Sequence, residues 1–164
     1  NIGRGKQRTG AAGGHGQEYL LVDGYNIIFA WEDLRELAAV NIDSARDKLM
    51  DICSNFQGCR GCTLILVFDA YKVKGNPGSV RKYHNIYVVY TREAETADQY
   101  IEKTVHDIGK KHLVTVATSD ALEQKIMWGE GALGMSAPGF RDAVETAAGQ
   151  MREFYEDRNR ARGV

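Results

Sequence analysis

The sequence has no apolar run long enough to cross a bilayer and no charged-then-apolar signal segment at its start. It has only three cysteines, an odd number, and a reducing intracellular compartment is the simplest interpretation of them. Neither sign of charge dominates, because Lys and Arg total 21 against 22 for Asp and Glu. These features predict a cytoplasmic protein with no membrane partner. The formal charge of −1 also argues against a surface coated with positive charge for nucleic acid.

The composition and length predict one globular domain. Of 164 residues, 43% are apolar and 26% are charged, which excludes a wholly disordered chain, a collagenous repeat and a coiled-coil rod. Residues 1–18 contain six glycines together with Arg4, Lys6 and Arg8, so we expect a flexible basic tail or linker there. Residues 19–164 are then expected to form a single domain that ends in a helix.

Short apolar runs alternate with helical patterns along this domain. The runs lie at residues 19–23, 63–69, 86–90 and 113–118, and each is apolar nearly throughout, as strands buried on both faces are. Apolar residues at helical spacing follow, and Thr96 with Gln99 forms a capping-box pattern at the start of one helix. Further helices are expected from Ser119 and from about Ser136. The alternation predicts an α/β fold in which a central parallel sheet of about four strands carries helices on both faces.

Carboxylates follow the carboxyl ends of these strands, which is where open α/β sheets place their functional crevice. Unpaired acids gathered at one edge would repel one another, and a bound divalent cation relieves that repulsion. Oxygen ligands of this kind suit Mg²⁺ or Mn²⁺, and such a site is suited to hydrolysis of a phosphate ester. The acids that follow the four strands are, in chain order, Asp23, Asp69, then Glu93, Glu95 and Asp98, and finally Asp120.

Structural explanations remain open for some of these residues. Asp98 and Asp120 fall in the first turns of predicted helices, where the helix dipole favours an acid. Ser119 could be a plain N-cap, and Asn26 could be a turn residue after Gly24. Asp23 and Asp69 each close an apolar strand, and no capping role explains them.

A basic segment follows Asp69. Residues 71–85 carry four Lys or Arg residues and no acid, and a Gly-Asn-Pro-Gly stretch predicts a mobile loop. Cations that hold phosphates and aromatic rings that stack on bases are typical of single-strand nucleic-acid contacts. An ordinary charged surface loop is the alternative. The expected RNA-binding residues are Tyr71, Lys72, Lys74, Arg81, Lys82 and Tyr83.

Four ordered segments carry a family resemblance: LLVDGYN at residues 20–26, LVFDA at 66–70, ETAD at 95–98 and TSD at 118–120. Together they resemble the NYN domain, and more closely its YacP-like branch, which belongs to the PIN-like nucleases. The similarity covers about residues 19–135. It implies a three-layer PIN-like (Rossmannoid) fold and a metal-dependent endoribonuclease that acts on single-stranded RNA. YacP-like members are associated with the ribosome and cleave mRNA there.

The resemblance also implies roles for individual residues. Asp23, Asp98 and Asp120 would be the metal-binding acids, and Asn26 would join them in the catalytic set. Asp69 and Glu95 would support the metal, which is expected to be Mg²⁺ or Mn²⁺, and Ser119 would be a polar partner. Similar domains occur at the end of translational GTPases of the ribosomal-protection type. A chain that begins with Asn rather than Met, after a Gly- and Arg-containing linker, fits that arrangement.

Two alternatives to a ribonuclease remain at this point. A non-catalytic RNA- or ribosome-binding module could share the fold, although such a module would be expected to lose some of the acids. A small-molecule phosphohydrolase could use the same acids, although the basic aromatic segment disfavours it. A Cys-x-x-Cys pair at Cys59 and Cys62 and a Gly-rich stretch at residues 129–134 carry no expected function, and the latter is interpreted as a loop between helices.

Overall fold

The structure is a computed structural model, and it describes residues 16–163. Strands and helices alternate along this part of the chain, as predicted. In chain order the elements are β1 (Glu18–Asp23), α1 (Gly24–Ala30), α2 (Glu32–Val40), α3 (Ile42–Arg60), β2 (Thr63–Phe68), β3 (Ser79–Tyr83), β4 (Ile86–Tyr90), α4 (Ala97–Ile108), β5 (Leu113–Ala117), α5 (Ala121–Gly129), β6 (Leu133–Met135) and α6 (Ala137–Ala161).

The strands form one sheet in the order β3-β4-β2-β1-β5-β6. Every neighbouring pair is parallel except β3 and β4, which form an antiparallel hairpin. The α/β class is therefore confirmed. The four apolar runs are the consecutive central strands β4, β2, β1 and β5, and the two edge strands bring the sheet to six. Strands β3 and β6 lack a continuous apolar run because each is exposed at an edge.

Helices cover both faces of the sheet and make three layers. Alternate strand residues such as Leu20 and Val22 point toward α1, α3 and α6. Their neighbours, including Leu21 and Val67, point toward α4, whose buried Ile101 packs on them. We call these the α3 face and the α4 face. The period-two alternation of side chains along a strand assigns every strand residue to one of them.

The helix starts agree closely with the capping patterns. Thr96 caps α4 in a complete capping box with Gln99, and Ser136 caps α6. Helix α5 begins at Ala121, two residues later than the expected start at Ser119, because Asp120 is its N-cap. Helices α1 and α2 were not predicted, and the reason is that α1 follows β1 directly with no side-chain cap.

Two expectations about loops are wrong. Residues 71–85 were expected to form a mobile loop, but residues 79–83 are strand β3, which pairs with β4 along its whole length. The Gly-rich stretch at 129–134 is not simply a loop between helices, since Leu133 and Gly134 belong to β6 and pair with β5. In both cases an edge strand forms because it pairs with a buried neighbouring strand. Local sequence patterns do not predict such pairing.

Most of the expected tail, up to residue 15, lies outside the described residues. Gly16 and Gln17 are held beside the start of β5: the Gly16 amide donates to Lys111 O at 2.7 Å, and the Gln17 amide donates to His112 Nδ1 at 3.0 Å. Across residues 16–163, no helix combines the length and the apolar composition that crossing a bilayer requires.

Candidate metal centre

Three carboxylates meet at the carboxyl edge of the sheet. Asp23 is the last residue of β1, Asp98 lies in the first turn of α4, and Glu123 lies in the first turn of α5. One carboxylate oxygen from each lies within 4.8 Å of the other two. We call this group the acidic cluster.

The fold explains why these three residues meet. Tyr19, Leu21 and Asp23 alternate along β1, so Asp23 faces the same side of the sheet as the residues that pack under α4. Helices α4 and α5 lie on that side, and both begin just beyond the carboxyl ends of the strands. Their first turns therefore present Asp98 and Glu123 to the end of β1.

The acidic cluster is buried on one side and open on the other. Asp23 and Glu123 are buried, with 1% and 4% of their surface exposed, whereas Asp98 is exposed. Burial raises the pKa of Asp23 to about 7; the neighbouring Glu123 carboxyl lowers that value, and the Asp98 and Asp69 charges add to the increase. Burial, followed by the charges of Asp23 and Asp98, raises the pKa of Glu123 to about 9. The fold thus disfavours the charged forms of two carboxyls unless a cation joins them.

Glu123 is held at one oxygen and left without a partner at the other. Its Oε2 accepts a 3.0 Å hydrogen bond from the Thr118 hydroxyl. Its Oε1 is buried and has no hydrogen-bond partner among the described residues. A buried carboxylate oxygen with no partner carries a desolvation cost that a bound cation would remove.

A short chain of side chains orients Asp23. The Asn26 amide Nδ2 donates to Asp23 Oδ2 at 2.9 Å, and the Ser119 hydroxyl donates to Asn26 Oδ1. The sequence predicted both residues as polar members of the site, and in the structure they lie next to Asp23. Since Ser119 follows β5 and Asn26 lies in α1, this chain joins two elements across the edge of the sheet.

The other expected metal-site acids lie around the acidic cluster, not in it. The Asp69 carboxylate accepts from the Ala97 amide at the start of α4, and burial raises its pKa, with a further contribution from the Asp98 charge. Asp120 Oδ1 accepts from the amides of Leu122 and Glu123 at 2.9 and 3.3 Å, which is an N-cap arrangement. Glu95 pairs with Arg92 at 3.7 Å.

The six expected RNA-binding residues fall into three places. Tyr71, Lys72 and Lys74 lie in the turns that precede β3, and the Tyr71 carbonyl accepts from the Ala94 amide just before α4. Strand alternation then separates the remaining three. Arg81 and Tyr83 lie on the α3 face, where the Tyr83 hydroxyl donates to Asp51 Oδ1 at 2.5 Å, whereas Lys82 lies on the α4 face.

Comparison with known proteins agrees with this architecture. The sequence profile of the YacP-like NYN domain matches residues 20–163. This chain belongs to the YacP-like NYN family. It is 42% identical over 130 residues to the uncharacterized protein YacP of Bacillus subtilis (strain 168), an alignment that covers 79% of this chain and 76% of that protein.

Solved structures extend the likeness to the fold of this NYN domain. The crystal structure of Rae1 (YacP) from Bacillus subtilis superimposes with a TM-score of 0.74 at 37% identity, covering 88% of this chain and 83% of that one. A point variant of Rae1 (YacP) gives a TM-score of 0.72 at 37% identity, covering 83% and 80% of the two chains. Membership of the family supports a PIN-like, ribonuclease-type function and implies RNA binding.

Sequence reasoning missed Glu123 in this NYN domain. Acids in the first turn of a helix are usually solvated and are explained by the helix dipole, so Glu123 carried no signal of its own. The available signal was its spacing: it follows the strand-end segment TSD at residues 118–120 by three positions, which turns it to the same side of α5 as the N-cap. Its burial comes from the packing of α5 beside α4.

The residues of the acidic cluster fit a divalent cation. NYN and PIN-like domains generally depend on such ions. The donor set here consists of carboxylate oxygens, which are the ligands that Mg²⁺ and Mn²⁺ prefer. The buried Glu123 Oε1 without a partner is the second point of agreement. The exposed Asp98 leaves one side of the cluster accessible to a substrate.

Proposed function

We propose that this chain is a divalent-metal-dependent endoribonuclease that cleaves single-stranded RNA, with mRNA in a ribosome-associated, cytoplasmic setting as its substrate. The observation that carries the proposal is the acidic cluster, in which Asp23, Asp98 and Glu123 converge and Glu123 Oε1 has no partner among residues 16–163. Hydrolysis of the phosphodiester would leave a 5′-phosphate.

Asp23, Asp98 and Glu123 are the residues that would hold Mg²⁺ or Mn²⁺. When bound, such an ion would lower the pKa of a water and offset the negative charge that develops on the phosphate. The family resemblance implies that Asp120 is a direct ligand, but Asp120 is not among the carboxylates that converge in the acidic cluster, and its Oδ1 accepts two amide hydrogen bonds. We therefore propose that Asp120 positions Glu123 by capping α5, and that Asp69 and Glu95 act from outside the cluster.

The neighbouring residues of the chain hold the cluster and the RNA. Asn26 and Ser119 fix the orientation of the Asp23 carboxylate, and Thr118 does the same for Glu123. Lys72 and Lys74 are exposed and lie in turns that backbone hydrogen bonds tie to the segment leading into α4. We propose that these two lysines bind phosphates of the RNA strand as it approaches Asp98.

A cleavage assay with a matched pair of variants tests this function. The purified protein is expected to cut single-stranded RNA with Mg²⁺ or Mn²⁺ and to stop when a chelator is added. Asp98→Asn should lose more activity than the roughly 10- to 100-fold that loss of an outer-shell partner costs a metal site. The control is Glu102→Gln, which removes an exposed carboxylate one turn further along α4 and should cut normally.

The same assay separates the alternatives. RNA that binds but is never cut, with either cation, would indicate a non-catalytic RNA- or ribosome-binding module. Faster turnover of mononucleotide esters than of oligoribonucleotides would indicate a small-molecule phosphohydrolase. Equal cleavage by Asp98→Asn and the parent protein would remove Asp98 from the proposed metal centre.

A further inference from the structure

One part of the sheet carries no helix on the α4 face. Helix α4 packs mainly on β1, β2 and β5, and this leaves the side toward β4 and β3 open. A groove of about 310 Å³ lies there between α4 and the edge strand. The residues of its wall that matter here are Tyr19, Ile65, Val80, Tyr87, Val89 and Tyr100.

The chemistry of the groove is aromatic and cationic. Three of its lining residues are tyrosines: Tyr19, Tyr87 and Tyr100. Tyr87 is 38% exposed and Val80 is 65% exposed. Lys82 pairs with Tyr87 across the hairpin, and its ammonium lies 4.7 Å from the centre of the Tyr87 ring. None of the groove's described lining residues is an acid, and Lys82 itself belongs to the acid-free segment 71–85.

Strand register connects the groove with the acidic cluster. On the α4 face, Val80 lies three strand spacings from Asp23, which is about 14 Å at 4.8 Å per spacing. On the opposite wall, Tyr100 follows Asp98 by two residues on α4, which is about 3 Å along the axis and on the other side of the helix. The near end of the groove therefore lies about 14 Å from the cluster, a distance that a few nucleotides span, and the groove extends toward the amino ends of β1 and β2, where Tyr19 and Thr63 lie. The row of paired residues across the sheet consists of Asp23, Val67, Val89 and Val80.

We propose that this groove binds unpaired bases of single-stranded RNA, which stack on Tyr87 and Tyr100 while Lys82 contacts a neighbouring phosphate. The choice of RNA as occupant rests on the proposed function and on the charge of the groove. Exposed aromatic rings on a sheet, with a cation beside them, are the platform that single-stranded nucleic acids use. A groove that binds a protein segment would be expected to have a mainly aliphatic surface. The aliphatic residues of this groove are Ile65, Val80 and Val89, and the tyrosine rings make up much of the rest.

Binding measurements in the Asp98→Asn background test the groove without cleavage. The probes are fluorescent single-stranded RNAs of about four and about twelve nucleotides. Tyr87→Ala should weaken binding of the longer RNA by about 5- to 150-fold and leave the shorter RNA unchanged, since each stacked base contributes about 1–3 kcal/mol. Tyr87→Trp should restore the affinity, and Lys82→Ala should weaken it and reduce its salt dependence.

The matched control is Tyr155→Ala, which removes another half-exposed tyrosine on α6, far from the groove in sequence. Unchanged affinity for the longer RNA in both Tyr87→Ala and Lys82→Ala would overturn the inference. A second result would also overturn it. If Val80→Ser abolishes self-association in sedimentation and leaves RNA affinity unchanged, the groove is a contact between protein chains. If the parent protein binds RNA through Tyr87 but does not cut it, the result would support RNA binding in the groove and contradict the proposed ribonuclease activity.

Discussion

The Thr118 hydroxyl donates a 3.0 Å hydrogen bond to Oε2 of Glu123, so the residue after β5 orients the buried carboxylate of α5. Thr118 is itself fully buried, and its oxygen also accepts from the Asp120 amide at 3.2 Å. One side chain therefore links the N-cap of α5 to the acidic cluster. The other oxygen of Glu123 is left for a ligand.

Thr118→Val is expected to weaken Mn²⁺ binding by about 10- to 100-fold, because it removes the group that orients Glu123 while keeping the side-chain shape. It should also lower the free energy of unfolding by about 1–3 kcal/mol, since the Asp120 amide loses a buried acceptor. Calorimetric titration and thermal unfolding measure the two effects. Thr118→Ser keeps the hydroxyl and should bind Mn²⁺ nearly as the parent does; equal losses in both variants would contradict this role.

Glu123→Gln and Asp120→Asn distinguish a ligand from a cap. We expect Glu123→Gln to lose Mn²⁺ binding, whereas Asp120→Asn should bind within about twofold of the parent because Asn is as good an N-cap as Asp. Asp120→Ala should cost about 0.5–2 kcal/mol of stability through loss of the cap. Isothermal titration and denaturant unfolding give these values. Loss of Mn²⁺ binding in Asp120→Asn would make Asp120 a direct ligand, as the sequence resemblance implied.

The stability of the metal-free protein should fall as pH rises. Asp23 and Glu123 have folded-state pKa values of about 7 and about 9, above the values of 3.8 and 4.5 that ordinary Asp and Glu have. Between those limits the folded state binds more protons than the unfolded state, so the free energy of unfolding decreases with increasing pH. We expect the melting temperature to drop by several degrees between about pH 5 and pH 8.

Two comparisons check the cause of this pH dependence. Glu123→Gln removes the carboxyl with the larger rise in pKa and should flatten the decline. Added Mg²⁺ or Mn²⁺ should raise the melting temperature more at about pH 8 than at about pH 5, because the cation competes with the bound protons. A melting temperature that rises toward pH 8 in the presence of a chelator would contradict this account.

Gly24→Ala should destabilise the protein by about 1–3 kcal/mol and reduce RNA cleavage. A Cβ at this position would lie 2.6 Å from Phe68 Cδ1 and 3.0 Å from the Val67 carbonyl, next to Asp23. Thermal unfolding and the cleavage assay measure both effects. The control is Gly58→Ala on the exposed side of α3, where the nearest atom would be Asn85 Nδ2 at 3.7 Å. That change should stabilise the protein by about 0.5–1 kcal/mol, and a similar loss in both variants would contradict the prediction.

Much of the framework follows from local sequence patterns. The four apolar runs become the central strands, because strands buried on both faces must be apolar nearly throughout. The capping box of Thr96 and Gln99 forms as predicted, since its hydrogen bonds involve only neighbouring residues. Edge strands β3 and β6 escaped prediction because their order depends on pairing with β4 and β5.

The α/β class and the position of the carboxylates at one edge follow from the amino-acid sequence alone, because parallel strands end on the same side of their sheet. Which of these acids meet depends on how the helices pack. Asp98 and Glu123 reach Asp23 because α4 and α5 pack on the same face, while Asp120 turns back to cap its own helix. The pairing of β3 with β4 also separated Arg81 from Lys82, because it orders residues 79–83 as a strand whose adjacent residues point to opposite faces of the sheet. Both outcomes depend on contacts between residues that are distant in the chain, and local sequence patterns do not encode such contacts.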